Sequence, residues 1–340
     1  MRIGQNPARQ GITAYVPRRL GVATLVYIPH REGYFAQSLD ILRVQVESLR
    51  VHTCEAFDLF VFDNGSHPQI QQELQSWQQQ GLVDWLFLSR QNLGKTGALN
   101  WILGAMPNEV ICFTDSDVYF RSGWLQESLK VFDAAPQAGV VSGQPCFSDV
   151  LNGQGKAYLK LLEGPTRVQE YWPEARIIQE YARGLGGGED RIRNYSSRPL
   201  PVVEFGSAGV KAVMGASHMQ FVIHRDLARQ VIPLPAETGL SPEEDRVFNQ
   251  RIDEAGYLHC SLLEPYVVHM GNSIDDELLN EIKTSGAAKP ASASSLAAPG
   301  TETAQRKIRL NLLRQLAQLK WARRWMTRLY NALFKVLTES

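Results

Sequence analysis

The sequence contains no uninterrupted apolar run that approaches the roughly 20 residues of a membrane-spanning helix. The first 19 residues carry arginines but no apolar core, so they do not resemble a secretory signal. The four cysteines are scattered without any Cys-x-x-Cys spacing, which argues against a zinc site and against a disulfide framework. Together these absences favour a reducing compartment, and we expect the protein on the cytoplasmic side of a membrane.

An excess of one charge is also missing, since 35 Lys and Arg residues balance 35 Asp and Glu residues. The net charge of the whole chain therefore predicts no charged partner, and we expect no nucleic-acid ligand. The 44% hydrophobic and 21% charged content is typical of a globular protein. A chain of 340 residues is long enough for one large domain with an appendage.

Strand-like and helix-like patterns alternate through the first third of the chain. Short apolar runs occur at residues 22–28, 59–62, 85–88 and 110–113, and apolar residues at helical spacing occur at residues 35–52, 70–77 and 93–103. This alternation predicts an α/β fold with a Rossmann-like, mostly parallel sheet and helices on both faces. Ligands of such sheets bind beyond the carboxyl ends of the strands, where Asp63, Asn92 and Asp115 follow.

The second half of the chain is less regular at first. Residues 151–215 show little periodicity, and the glycine-rich stretch 184–188 predicts a flexible loop in a region able to cover an active site. A strand at 219–223 and a helix at about 242–255 follow, before a stretch rich in Ala, Ser, Pro and Gly. The predicted organisation is an N-terminal extension (1–20), a globular domain (21–280), a flexible linker (281–303) and a basic amphipathic helical tail (304–340).

Two carboxylates follow the fourth apolar run, in Phe113-Thr114-Asp115-Ser116-Asp117. Side chains at i and i+2 of an extended chain point the same way, so Asp115 and Asp117 should converge. Paired carboxylates at a strand end suit Mg²⁺ or Mn²⁺, which can hold a diphosphate and neutralise its charge as it leaves. Taken alone, however, Asp-Ser-Asp fits a solvent-exposed turn at least as well.

The order of four motifs is more specific than any one of them. They are Ile28-Pro29, Phe62-Asp63-Asn64-Gly65-Ser66, Asn92-Leu93-Gly94 leading into Ala98-Leu99-Asn100, and Asp115-Ser116-Asp117. In this order they resemble the family 2 glycosyltransferases of the GT-A fold, over about residues 20–275. The resemblance implies an inverting enzyme that transfers a sugar from a nucleotide-diphosphate sugar, most often a UDP-sugar in the family, to an acceptor hydroxyl.

The same resemblance implies a donor site. Pro29 would line the nucleobase pocket, Asp63 would face the base or the ribose, and Lys95 would meet the diphosphate. His30-Arg31-Glu32 departs from the Tyr-Asn or Asn-Glu pair that many relatives have after the first proline. The donor-binding residues implied in this way are Pro29, Arg31, Asp63, Asn92, Gly94, Lys95 and Asp115.

A divalent cation and a general base are implied as well. Asp115 and Asp117 match the metal motif, and His269 resembles the late histidine that several GT-A enzymes supply to the Mn²⁺ or Mg²⁺ ion. Glu244-Asp245 resembles the acidic pair before the "aGy" turn of the family, so Asp245 would take the proton from the acceptor hydroxyl. From the residues alone, Asp245 also suits the positive end of a helix dipole, and a lone histidine more often packs than binds metal.

The last part of the sequence differs from the rest in charge. Residues 304–337 contain no Asp or Glu, and leucines recur at helical spacing beside basic residues and tryptophans. This combination is typical of a helix that lies in the plane of an anionic membrane. We therefore expect peripheral attachment to the inner face of the membrane, which suits a glycan or lipid-linked acceptor. Docking on the protein's own domain and dimerisation as a coil are the alternatives.

Two other functions compete with sugar transfer. A nucleotidyltransferase shares the sheet and an acidic metal site, but such enzymes usually carry a glycine-rich basic loop where this chain has Pro29-His30-Arg31-Glu32-Gly33. A catalytically silent, membrane-associated module would not need Asp115, Asp117 and Asp245 to be intact. Sugar transfer is therefore the leading prediction.

Overall fold

The computed structural model describes residues 15–147, 156–164, 168–235 and 243–285. The strands are β1 (Leu20–Val26), β2 (Phe57–Asp63), β3 (Trp85–Leu88), β4 (Val110–Asp115), β5 (Val118–Phe120), β6 (Ala138–Ser142), β7 (Val168–Tyr171), β8 (Leu200–Phe205), β9 (Val210–Met214), β10 (Gln220–His224), β11 (Leu258–Ser261) and β12 (Val267–His269). The α-helices are α1 (Ser38–His52), α2 (Pro68–Gln79), α3 (Gly94–Ala105), α4 (Trp124–Ala134), α5 (Lys156–Leu162), α6 (Ala175–Gly184), α7 (Glu189–Ser196), α8 (Arg225–Val231), α9 (Glu243–Glu254) and α10 (Asp276–Ser285).

Ten of the strands form one twisted sheet in the order β3-β2-β1-β4-β10-β6-β11-β9-β8-β7. Among these described strands, seven run in one direction, while β7, β9 and β10 run in the other. The remaining two, β5 and β12, pair with each other as a small antiparallel sheet. The predicted α/β fold with a mostly parallel, GT-A-like sheet is confirmed.

Helices cover both faces of the sheet, because successive strand residues point to opposite sides. Leu42 of α1 and Trp77 of α2 are buried in one core cluster with Val22 of β1. Leu103 of α3 is buried in a second cluster with Ala23, the next residue of β1. The two clusters are the two interfaces of an α/β/α sandwich, which leaves the ends of the strands as the open edge.

The region after β6 is more regular than its sequence predicts, so the expectation of irregular structure at 151–215 was wrong. Its described residues contain three helices, and β7, β8 and β9 extend the sheet as an antiparallel unit. Strand β7, with the sequence Val-Gln-Glu-Tyr, is short and half polar, and β8 and β9 each contain one charged residue. Pairing of β9 with β11, more than 40 residues later, supplies the partner that the local pattern does not reveal.

Helix α10 continues to Ser285, whereas the sequence pattern begins the linker at residue 281. Ile282 is completely buried because it packs with Leu278 in a cluster that includes Ile41 and Val44 of α1. The globular domain therefore includes residues up to Ser285. The other linker residues, the tail and residues 1–14 lie outside the described residues. Within the described ranges, no helix has both the length and the apolar content to cross a membrane.

Candidate active site

Backbone hydrogen bonds join the loops at the carboxyl ends of β1 and β2. The amide of Asn64 donates to the carbonyl of Val26 at 2.8 Å, and that of His67 donates to Ile28 at 2.9 Å. The amide of Ile28 in turn donates to Oγ of Ser66 at 2.9 Å. These bonds continue the pairing of the two strands beyond their ends, and Pro29 follows directly at the half-exposed start of the next loop.

Asp63 is completely buried, and both of its carboxylate oxygens bond to protein groups. They accept from the amide of Ser66 at 3.2 and 3.3 Å, and one also accepts from Nε2 of Gln71 at 2.7 Å. Gly65 lies between them at a φ of +83°, where a Cβ would come within 2.8 Å of the backbone of Gln91. In this structure Asp63 stabilises the turn from β2 to α2, and contact with a base or ribose stays a prediction.

Asn64 and Asn92 connect this turn to the loop before α3. Oδ1 of Asn92 accepts from Nδ2 of Asn64 at 3.0 Å and from the amide of Gly94 at 2.8 Å. Oδ1 of Asn64 accepts from the amide of Leu93 at 2.8 Å. The family resemblance implied donor-binding roles for Asn92 and Gly94 but none for Asn64, although Asn64 lies in one of the four motifs.

Lys95, the second residue of α3, forms an ion pair with Asp115 at the end of β4. Its Nζ lies 2.9 and 3.0 Å from the two carboxylate oxygens of Asp115 and donates to the carbonyl of His218 at 3.1 Å. Burial raises the pKa of the Asp115 carboxyl, the Lys95 ammonium opposes this rise, and the charge of Asp117 adds to it. The predicted donor-binding lysine and the first predicted metal ligand are thus in direct contact.

Asp117 pairs with His269, which the fold brings from 152 residues away. Strand β5 begins directly after Asp117 and pairs with β12, which ends at His269, and Nε2 of His269 lies 3.1 Å from Oδ2 of Asp117. Burial lowers the pKa of His269, but the hydrogen bond to Asp117 and its charge outweigh burial, so the pKa is raised. Nδ1 of His269 is buried and has no hydrogen-bond partner among the described residues.

The chemistry of these side chains fits a divalent cation. Carboxylate oxygens and an imidazole nitrogen are a donor set that Mn²⁺ accepts. Asp117 and His269 converge already, whereas Asp115 is held by Lys95. Within the described residues, no group of three His, Cys, Asp or Glu side chains stands ready to coordinate an ion.

A cavity of about 310 Å³ opens beside His269, between the end of α6 and the loop from β12 to α10. Arg121 lines this cavity, and its guanidinium bonds two other lining residues, Glu180 of α6 and Glu281 of α10, at 2.7–3.0 Å. Gly184 ends α6 against His269, where a Cβ would come within 2.4 Å of the histidine carbonyl oxygen. The glycine-rich stretch predicted to lie near an active site therefore begins in contact with a candidate metal ligand.

Two other predicted site residues, Arg31 and Asp245, have no described contact with the four side chains at the end of β4. Arg31 is exposed on the loop after β1. Asp245 lies in α9, but its side chain is outside the described residues. Because α9 precedes β11, which runs parallel to β6, the topology places the start of α9 toward the edge where β4 ends.

Comparison with known proteins gives one family match. Residues 31–187 match the family described as glycosyl transferase family 2. A search of curated protein sequences finds no match.

Solved structures are similar at low identity. A crystal structure of S. aureus TarS (residues 1–349) has 17% identity over 72% of this chain, with a TM-score of 0.41. The mannosyltransferase PcManGT from Pyrobaculum calidifontis, in complex with GDP-Man and Mn²⁺, has 16% identity over 95% of this chain and 87% of its own, with a TM-score of 0.42. The chain spans 58% of the length of the TarS structure. The family match covers a little under half of the chain, from the loop after β1 to the loop after α6.

Proposed function

We propose that the protein is an inverting glycosyltransferase that moves a sugar from a nucleotide-diphosphate sugar to an acceptor hydroxyl. The observation that carries the proposal is the meeting of Lys95, Asp115, Asp117 and His269 at the end of β4. A primary ammonium and a set of oxygen and nitrogen donors for a cation are the groups that a leaving diphosphate requires. Three of the four residues lie within the segment that matches the family.

The donor would be held from two sides. Asp115, Asp117 and His269 would hold Mn²⁺ or Mg²⁺, which supplies positive charge to the diphosphate leaving group. Lys95 would add a second positive charge, and its pairing with Asp115 keeps the ammonium at the site before the donor arrives. Asn92 and Gly94 would shape the loop that precedes Lys95, and Pro29, Arg31 and Asp63 would border the nucleoside.

The acceptor would be activated from the other side of the sugar. Asp245 would accept the proton of the acceptor hydroxyl while that oxygen bonds to the anomeric carbon and the bond from that carbon to the diphosphate oxygen breaks. A single displacement from the opposite face inverts the configuration of the anomeric carbon. We infer this role from the family resemblance and from the position of α9 at the same edge of the sheet.

The acceptor would be a glycan or a lipid-linked molecule with a free hydroxyl. Residues 304–337 would attach the protein to the anionic, cytoplasmic face of a membrane, because they contain nine basic residues and no acidic ones. Attachment of this kind would place the enzyme beside an acceptor that is itself anchored in the lipid.

A donor screen tests the proposal. Thermal unfolding is measured with Mn²⁺ and a panel that includes UDP-GlcNAc and GDP-mannose, because TarS forms a complex with the first and PcManGT with the second. A true donor raises the melting temperature by mass action, and the same donor should then be hydrolysed slowly in the absence of acceptor. Release of pyrophosphate from a nucleoside triphosphate and a sugar phosphate would indicate a nucleotidyltransferase instead. No stabilisation by any nucleotide would indicate a silent module.

A further inference from the structure

Helix α1 buries two polar side chains against the sheet at positions where leucines would pack. Gln45 and Ser48 are completely buried, as are Leu42 and Leu49 on the same side of the helix. Burying an amide or a hydroxyl is unfavourable unless its donors and acceptors are paired. Packing of the core alone therefore does not explain why Gln45 and Ser48 are polar. Their hydrogen-bond partners do.

Gln45 connects β1, β4 and the peptide that follows β4. Its Oε1 accepts from Oγ1 of Thr24 at 2.8 Å, and its Nε2 donates to Oγ1 of Thr114 at 3.1 Å. Its Nε2 also donates to the main-chain carbonyl of Asp115, which accepts a second bond from Oγ1 of Thr114 at 3.0 Å. Every donor in this set has an acceptor, so the direction of the Asp115 carbonyl is fixed.

Ser48 holds the chain on the other side of the same turn. Its Oγ accepts from the amide of Phe120 in β5 at 3.1 Å and donates to the carbonyl of Gln45 at 2.8 Å. Strand β5 pairs with the strand that carries His269, with Val118 opposite His269. One helical turn of α1 thus bonds the backbone two residues before Asp117 and three residues after it.

We propose that Gln45 and Ser48 are positioning residues that set the backbone geometry of Asp115 and Asp117 for binding a metal–diphosphate complex. The inference rests on the proposed function for its ligand, but the geometry itself can be tested without any ligand. Rotation of the peptide between Asp115 and Ser116 would redirect both carboxylates, and the Gln45 amide opposes that rotation. Sequence patterns do not reveal this role, because the partner of Gln45 lies 70 residues away.

The test compares Gln45→Met and Ser48→Ala with matched variants. Methionine keeps the length of glutamine but removes the bonds to Thr24, Thr114 and Asp115. Gln220→Met is the control for Gln45, because Gln220 is equally buried but bonds Gly143 and Cys112. Ser128→Ala is the control for Ser48, because Ser128 is buried and bonds only within α4 at 2.7 Å.

Two readouts are taken on the full chain. Hydrogen exchange follows the amides of Asp115, Phe120 and Met270, which bond to Met219, Ser48 and Asp117 respectively. Electron paramagnetic resonance follows the binding of Mn²⁺ in the presence of UDP and, separately, of GDP. Removal of a group that orients metal ligands typically weakens metal binding by about 10–100-fold, and we expect that range for Gln45→Met. The control variants should bind Mn²⁺ as the wild type does, even if they lose stability.

The outcomes separate the two proposals. Selectively faster exchange at these amides with weaker Mn²⁺ binding supports the positioning role. Equal effects of Gln45→Met and Gln220→Met on both readouts would overturn it and leave Gln45 as a core residue. If the wild type binds no Mn²⁺ with UDP or with GDP while Gln45→Met still loosens the turn selectively, the metal–diphosphate ligand of the proposed function is refuted, whereas the control of the turn by α1 stands.

Discussion

At the scale of single residues, the acidic end of β4 consists of two adjacent pairs, Lys95 with Asp115 and Asp117 with His269. The four side chains keep 20–30% of their surface exposed, so solvent screens the attraction within each pair. This screening reduces what each pair contributes to folding, and both pairs present charges to a ligand. Substitutions here should therefore change ligand binding much more than stability.

We expect Asp117→Asn to abolish turnover and Mn²⁺ binding while the protein stays folded. The amide keeps the shape of the side chain but removes the charge that a divalent cation requires. The unfolding free energy should change by no more than about 1 kcal/mol, because the pair with His269 is partly exposed. Glu127→Gln, which removes an exposed pair with Lys130, is the control and should leave turnover unchanged. Full activity of the wild type in EDTA would contradict the metal site.

We expect Asp245→Asn to remove sugar transfer but to leave nucleotide binding intact, because the base would contact the acceptor rather than the donor. Loss of a positioned general base typically lowers the rate by about 10²–10⁴-fold. Glu244→Gln is the neighbouring control and should be much milder, because Ser241 and Glu244 have the spacing of a capping box, in which glutamine can replace glutamate. Transfer rates and nucleotide affinity are measured on both variants. Near-normal transfer by Asp245→Asn would assign the base to another residue.

His259 provides a pH-dependent contribution to stability that does not depend on the proposed function. Burial and the neighbouring His218 lower its pKa to about 4, although its Nε2 contacts the carbonyl of Asn249 at 3.2 Å. The pKa of this histidine in the unfolded chain is about 6.5, so below that pH the unfolded chain binds a proton at His259 while the folded protein does not. The stabilisation is therefore complete above that pH and is lost as the pH falls toward 4, by about 3 kcal/mol in total.

The measurement is the unfolding free energy of the wild type and of His259→Gln between pH 7.5 and 4. The variant should be less stable at neutral pH and should lack the part of the pH dependence that His259 causes. His30→Gln, which changes an exposed histidine, should follow the wild-type profile. Identical slopes for the wild type and His259→Gln would show that this histidine does not resist protonation.

Site residues were predictable from the sequence where they directly follow a recognisable strand. Asp115 and Asp117 follow an apolar strand directly, so their place at the sheet edge could be inferred. Gln45 could not be recognised, because a glutamine on an amphipathic helix looks like a solvent-facing residue until the fold puts Thr24 and Thr114 beside it. Long-range pairing of this kind has no local pattern.

At the scale of elements, the first four strands and three helices were predictable within a few residues. Strands β1, β2 and β4 are parallel and buried on both faces, so each is a compact apolar run. Strand β3 is apolar too, although it lies at the edge of the sheet and is largely exposed. The elements after β6 were not predictable, because β7 exposes most of its residues and β9 is stabilised by β11 rather than by a neighbour in sequence. Such strands show weak alternation and form only in their tertiary context.

The end of α6 gives a prediction at this scale. Gly184→Ala should weaken Mn²⁺ binding and lower the unfolding free energy by about 1–3 kcal/mol, because the new methyl group overlaps the backbone of His269. Alanine is otherwise favourable in a helix, so a loss must come from this contact. Gly188→Ala is the matched control in the same loop, since nothing lies within 4 Å of a Cβ there. Equal behaviour of the two variants would show that α6 does not fix the position of His269.

At the scale of the whole molecule, a net charge of zero conceals two parts of opposite sign. Residues 304–340 hold nine of the 35 basic residues and one of the 35 acidic residues, so residues 1–303 carry a net charge of −8. An anionic membrane surface should therefore repel the body of the protein and attract the tail. Composition could predict this division, but it could not distinguish attachment to lipid from docking on the acidic domain.

Deletion of residues 301–340 distinguishes the two. We expect the full chain to bind anionic vesicles, since each cation near such a surface adds about 1 kcal/mol, and the truncated chain to remain unbound. Donor hydrolysis should survive the deletion, because every proposed site residue lies before Met270. Replacement of Arg323, Arg324 and Arg328 with glutamine keeps the leucines and tryptophans, and it should weaken vesicle binding because it removes positive charge. Added salt should weaken the vesicle binding of the full chain only in part, because salt does not screen the contact of the apolar stripe with lipid. Sedimentation with vesicles containing 30% anionic lipid measures binding, and thermal unfolding checks that the truncated chain folds. If the full chain does not sediment with these vesicles, or if truncation lowers the melting temperature, the tail packs on protein rather than on lipid.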